Sequence, residues 1–115
     1  MIGYLSGPIT GVEGYEQKFA EAEQKAKNLG YSVINPVKLR EVVPIEELDY
    51  ADIMDIDMYL LYKADCLIHL QGWEGSTGAG LEHFAAMKMG KKIFSIEDLP
   101  ICEAGEKRWG KDGPR

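Results

Sequence analysis

Residues 66–96 read CLIHLQGWEGSTGAGLEHFAAMKMGKKIFSI. Cys66 to Leu70 is an apolar run of strand length, and Gln71 to Gly78 is a glycine-rich turn. Ala79 to Met89 has helical character and stops at Gly90, and Lys92 to Ile96 is again strand-like. Gly is a common helix stop, and clustered Gly marks a turn. Strand, turn, helix and strand in that order predict neighbouring parallel strands joined over a sheet face.

Working outward, the same alternation fills the rest of the chain. Ile2 to Leu5 reads as a strand that stops at Ser6-Gly7-Pro8. From Tyr15 to Leu29, Phe19, Ala22, Ala26 and Leu29 recur at three- and four-residue steps, which predicts a helix ending at Gly30. Tyr31 to Ile34 is a second strand, closed by Asn35-Pro36. Val37 to Asp49 reads as a long loop with some helix, and Tyr50 to Ala64 as a helix. The expected fold is α/β, a Rossmann-like or flavodoxin-like three-layer sandwich. Its parallel sheet has about four strands in the order 2-1-3-4. Residues 1–96 form the domain. Residues 97–115 read as a C-terminal tail, basic through Lys107, Arg108, Lys111 and Arg115.

Bulk properties narrow the partners. With 115 residues and 45% hydrophobic content the chain suits one domain. A net charge of -6 argues against long nucleic acid, which needs a basic footprint, but leaves small anions open. No apolar run approaches membrane-span length, and no leader-like segment opens the sequence. Cys66 and Cys102 lack paired spacing, so a reducing, cytoplasmic setting is expected. His69 and His83 are not spaced as helical metal ligands, and no metal site is expected.

Ligands of such sheets bind beyond the carboxyl ends of the strands, where three turns converge: Ser6 to Gly11, Asn35 onward, and Gln71 to Gly78. Asp57 lies on the apolar stripe of Ile53, Leu60, Leu61 and Ala64, so it faces the core side. Such a carboxylate is paired, hydrogen-bonded or protonated. Capping a loop and serving a ligand both fit it. Glu82 is placed in the first turn of its helix, as a dipole partner or as a group of the ligand edge. Tyr4 is either a core aromatic or a group of that same edge. Ser76 and Thr77 suit a helix cap or a phosphate contact. Trp73 either stacks on a base or covers the core, and His83 is read as a surface or interface residue.

Tyr4-Leu5-Ser6-Gly7-Pro8, Asp57 eight residues before Asp65, and Ser76-Thr77-Gly78-Ala79-Gly80-Leu81-Glu82 together resemble the nucleoside 2-deoxyribosyltransferase superfamily. The likeness runs from about Tyr4 to Ile96. Ser76, Gly78, Gly80 and Glu82 match the Ser-x-Gly-x-Gly-x-Glu stretch of its 2′-deoxynucleoside 5′-phosphate N-hydrolases. The hydrolases carry Gly-Ser-x-Arg in the first turn, whereas this chain has Gly7-Pro8-Ile9-Thr10, closer to the transferases. His83-Phe84 replaces the usual Leu-Gly, and a fourth helix and fifth strand are not evident after Ile96. The resemblance implies a small branch of the kind carried by phage and prophage genomes.

It further implies Glu82 as the nucleophile on the anomeric carbon, Asp57 as acid or sugar contact, and Tyr4 as the group that holds Glu82. Gly7, Pro8, Ile9, Thr10, Asn35, Trp73, Ser76 and Gly78 are the expected substrate contacts. No cofactor is implied, and the assembly is a homodimer or another homo-oligomer. The expected reaction is cleavage of the N-glycosidic bond of a nucleoside 5′-monophosphate. Base exchange on free nucleosides and nucleotide binding without turnover are the alternatives. A purely structural domain leaves Asp57 and the Glu82 turn without purpose.

Overall fold

The computed structural model describes residues 1–103. Strands β1 (Ile2–Ser6), β2 (Ser32–Ile34), β3 (Cys66–His69) and β4 (Lys92–Ser95) alternate with helices α1 (Tyr15–Asn28), α2 (Tyr50–Lys63) and α3 (Thr77–Lys88). All pairings are parallel and the strand order is β2-β1-β3-β4, as the alternation predicts. The stretch between β2 and α2 holds two short 3₁₀ helices, Pro36–Glu41 and Ile45–Glu47.

Alternation along the strands divides the core in two. Leu5, Cys66, Ile68 and Leu70 face Phe19, Ala22 and Ala26 of α1. Tyr4 and Leu67 face Leu61 and Ala64 at the end of α2 and Ala86 of α3. This is the three-layer sandwich, with α1 on one face and α2 and α3 on the other. Cys66 is fully buried, as its apolar surroundings in the sequence suggest. Leu61 is also fully buried, and Met58 packs against the same cluster.

Capping sets two helix starts. Asp49 and Asp52 form a reciprocal capping box at α2. Ser76 accepts from the Ala79 N–H at 3.2 Å and starts α3 at Thr77, two residues before the apolar pattern begins. Glu82 therefore lies in the second turn of α3, not the first. Its placement owes more to packing than to the helix dipole, which fades beyond the first turn.

The packed domain continues past Ile96. Leu99 joins the α1-side core, Tyr31 donates to the Pro100 carbonyl at 2.9 Å, and the Cys102 N–H donates to the Leu29 carbonyl at 2.8 Å. The remainder of the expected tail, 104–115, lies outside the described residues. No helix among the described residues is long and apolar enough to cross a membrane.

Candidate functional site

Tyr4 and Ser6 are two apart on β1 and so project to the same face, toward α3. Both reach one carboxylate. The Tyr4 hydroxyl donates to Glu82 Oε2 at 2.5 Å and the Ser6 hydroxyl donates to Oε1 at 2.7 Å. Glu82 is only 6% exposed, so the two hydroxyls replace the water it has lost. Burial raises the Glu82 pKa, and the Tyr4 and Ser6 hydrogen bonds oppose that rise. The Tyr4 hydroxyl is itself raised well above 10, chiefly by burial and then by the Glu82 and Asp57 charges. It stays protonated and remains a donor.

Asp57 lies on the α2 face turned to the same region. Its Oδ1 is buried and makes no hydrogen bond. Burial, and then the charge of Glu82, push its pKa from 3.8 to about 7. No lysine or arginine of the described residues appears among the groups acting on Glu82, Asp57 or Tyr4. Two carboxyls coupled without a cation cannot both ionise cheaply. Glu82, with two donors, is the better anion. Asp57, with an orphaned oxygen, is the better holder of a proton.

The other expected contacts are spread more widely. A Cβ at Gly7 would lie 2.8 Å from Leu70 Cβ, so glycine there serves the packing of the β1 exit against β3. Ile9 packs on the α1-side core. Pro8 lines a cavity of about 490 Å³ with Lys18, Ala22, Lys25, Leu70 and Ile96. That cavity includes none of Tyr4, Ser6, Asp57 and Glu82, and its core-forming members belong to the α1 side. Thr10 is exposed in a turn.

Asn35 is engaged locally. Its amide donates to Glu23 Oε1 at 3.0 Å and its oxygen accepts from the Val37 N–H at 3.1 Å. Lys27 and Lys38 pair with the same Glu23. Gly78 sits where α3 begins, with the Tyr50 hydroxyl 3.8 Å from the position a Cβ would take. Ser76 caps α3.

Trp73 neither stands free nor simply covers the core. Its indole stacks on His69 at 3.8 Å and 5°, and on His83 at 4.6 Å and 16°. His69 Nε2 and His83 Nδ1 are 2.8 Å apart. His83, read from the sequence as a surface or interface residue, is half-buried and anchored to His69. Gly72, at φ 86, allows the sharp entry into the Trp73–Gly75 turn that brings the indole over the rings. Among the described residues, no group of three or more His, Cys, Asp or Glu is arranged to hold a metal ion.

Fold and site together define a three-layer α/β domain in which a buried carboxyl group, Glu82, and a half-buried one, Asp57, lie near the carboxyl end of its first strand. The chain belongs to the family described as a domain of unknown function, DUF4406, whose model matches residues 1–95. A search of curated proteins finds no match. Among solved structures, the fold is similar to that of the 2-deoxyribosyltransferase from the psychrotolerant bacterium Bacillus psychrosaccharolyticus. The TM-score is 0.64 at 20% identity, covering 83% of this chain and 71% of that chain.

Proposed function

We propose that this protein cleaves the N-glycosidic bond of a nucleoside 5′-monophosphate, with Glu82 as nucleophile. The observation that carries the reading is the buried Glu82 carboxylate, held by Tyr4 and Ser6 beside an Asp57 whose oxygen lacks a partner. The Glu82 carboxylate attacks the anomeric carbon as the carbon–nitrogen bond breaks. The bonding pair leaves with the base, and Asp57 supplies its proton. Water, deprotonated by Asp57, then attacks the sugar ester, frees the sugar phosphate and restores Glu82. Two carboxyls with separated protonation suit such a retaining displacement. Tyr4 and Ser6 hold the carboxylate in one rotamer and stabilise it as the resting anion.

The phosphate preference rests on Ser76 and the start of α3, where the dipole favours an anion. A second reading, base exchange between free nucleosides, is favoured by the first turn. Pro8 and Ile9 bring no cationic or hydroxyl donor there, and Ile9 faces the α1 core. The test is chromatographic detection of free base from ribo- and deoxyribonucleotides and from their nucleosides, with and without a second base. Base from monophosphates alone supports the hydrolase. Exchange on free nucleosides supports the transferase. Saturable nucleotide binding with no base released from any substrate supports a binding module and rejects both.

A homodimer is part of the proposal. Tyr59 and Tyr62 of α2, at 60% exposure each, and Phe84 and Met87 of α3, at 58% and 59%, sit three apart on outer helix faces. Exposed aromatic and apolar residues gathered on one layer mark an interaction surface. Light scattering at micromolar concentration should give twice the 12.8 kDa chain mass. A single chain mass would remove the dimer from the proposal.

A further inference from the structure

Glu82 and His83 are consecutive on α3, and each is fastened to a different strand. Glu82 is bound to β1 through Tyr4 and Ser6. His83 is bound to the last residue of β3 through His69. In the sheet register Ser6 is the partner of His69, so the two attachment points are side by side. Successive helical residues project about 100° apart around the axis. Two fastenings at that angle resist rotation of α3 in a way that one does not.

The histidine link is built to stay made. His69 is 3% exposed. Its ring is held neutral down to about pH 4 by burial and then by the charge of His83, against a small opposing effect of the Ser6 backbone. One ring nitrogen then donates and the other accepts across the 2.8 Å gap. The 20° interplanar angle keeps the two imidazoles nearly coplanar under the Trp73 indole. A Glu82 fastened only through its own hydroxyl partners would follow any turn of α3. A small misplacement of a reacting group costs rate far more than binding.

We propose that His69 and His83 are positioning residues: their mutual hydrogen bond, roofed by Trp73, fixes the rotation of α3 and so the setting of the Glu82 carboxylate. The inference rests on the reading of Glu82 as the reacting group. Two substitutions separate its parts. His83→Phe keeps a ring beneath Trp73 and removes the hydrogen bond. His83→Asn places an amide where Nδ1 stood and restores it.

The readouts are kcat and KM for base release, and the proton NMR signal of the Tyr4 hydroxyl bound to Glu82. His83→Phe should lower kcat at least tenfold, leave KM within twofold and shift the Tyr4 signal. His83→Asn should return kcat to within about threefold of wild type and bring the signal back. His83→Leu replaces His83→Phe if the latter does not fold. An unshifted Tyr4 signal in the variant lacking the bond overturns the proposal, as does an Asn variant that does not restore it. If the wild type releases no base, the proposed function fails instead. The NMR comparison then still decides whether the histidine pair sets Glu82.

Discussion

Glu82→Gln should reduce base release by on the order of 10³-fold or more, the scale on which removing a nucleophile acts. The change keeps the size of the side chain and deletes its charge. One hydroxyl, from Tyr4 or Ser6, continues to donate to the remaining amide oxygen. The other reverses and accepts from the new amide group, so the pocket stays filled and hydrogen-bonded. An amide oxygen is a far weaker nucleophile than a carboxylate, and it does not offset the positive charge that develops on the sugar. Binding of a nucleotide, measured by calorimetry, should change little, because the substrate carries no full charge at that atom before reaction. Asp57 should respond as well. Part of its raised pKa comes from the Glu82 charge, so its pKa in the variant falls below about 7 while burial keeps it above 3.8. Base release by Glu82→Gln at the wild-type rate would remove Glu82 from the chemistry.

Much of the fold was legible because each transition between elements is marked in the sequence. Gly30 and Gly90 close helices, Asn35-Pro36 closes a strand, and the apolar period changes between them. Helix α3 starts earlier than its apolar pattern because Ser76 makes the cap, and a capping hydroxyl leaves no periodic signal. Tyr4 and Glu82 were legible as a pair only through family resemblance, since 78 residues separate them. Ser6 carries a weaker signal of its own: two residues after Tyr4 on a strand, it must share its face.

The His69–Trp73–His83 stack had no comparable signal. It depends on the register of β3 against β1, the rotation of α3 and the turn at Gly72 acting together. Spacing rules for metal ligands pass over it because the rings bind each other. Asn35 and Ile9 are ligand contacts expected from the resemblance, and both sit in turns at that edge. The structure places the Asn35 amide against Glu23 and Ile9 on the α1 core. Position along the chain locates an edge of the sheet, whereas the direction of each side chain at that edge is decided by packing.

Asp57→Asn should slow base release by about 10²- to 10⁴-fold, the range for loss of a general acid, and make the fold more stable at alkaline pH. The two effects share a cause. Burial and the neighbouring Glu82 raise the Asp57 pKa from 3.8 to about 7. Between those values the folded protein binds this proton more firmly than the unfolded chain does. The stability this group contributes is therefore full below about pH 4 and is lost as pH rises through about 7. At pH 8 the wild type holds a half-buried anion with an orphaned Oδ1 next to a second anion. Asn has nearly the same shape and no charge to desolvate. A shift of this size is worth about 4 kcal/mol at 1.36 kcal/mol per unit. The residue is half-buried rather than fully buried and Glu82 shares the titration, so a gain of about 1–2 kcal/mol is expected at pH 8. Thermal unfolding followed by circular dichroism should place the variant several degrees above wild type at pH 8. The difference should shrink as pH falls toward 4, where the wild-type carboxyl is neutral too. Equal melting temperatures at pH 8 would mean that the Asp57 carboxylate is not penalised in the fold, and that it holds no proton at neutral pH to give to a departing base.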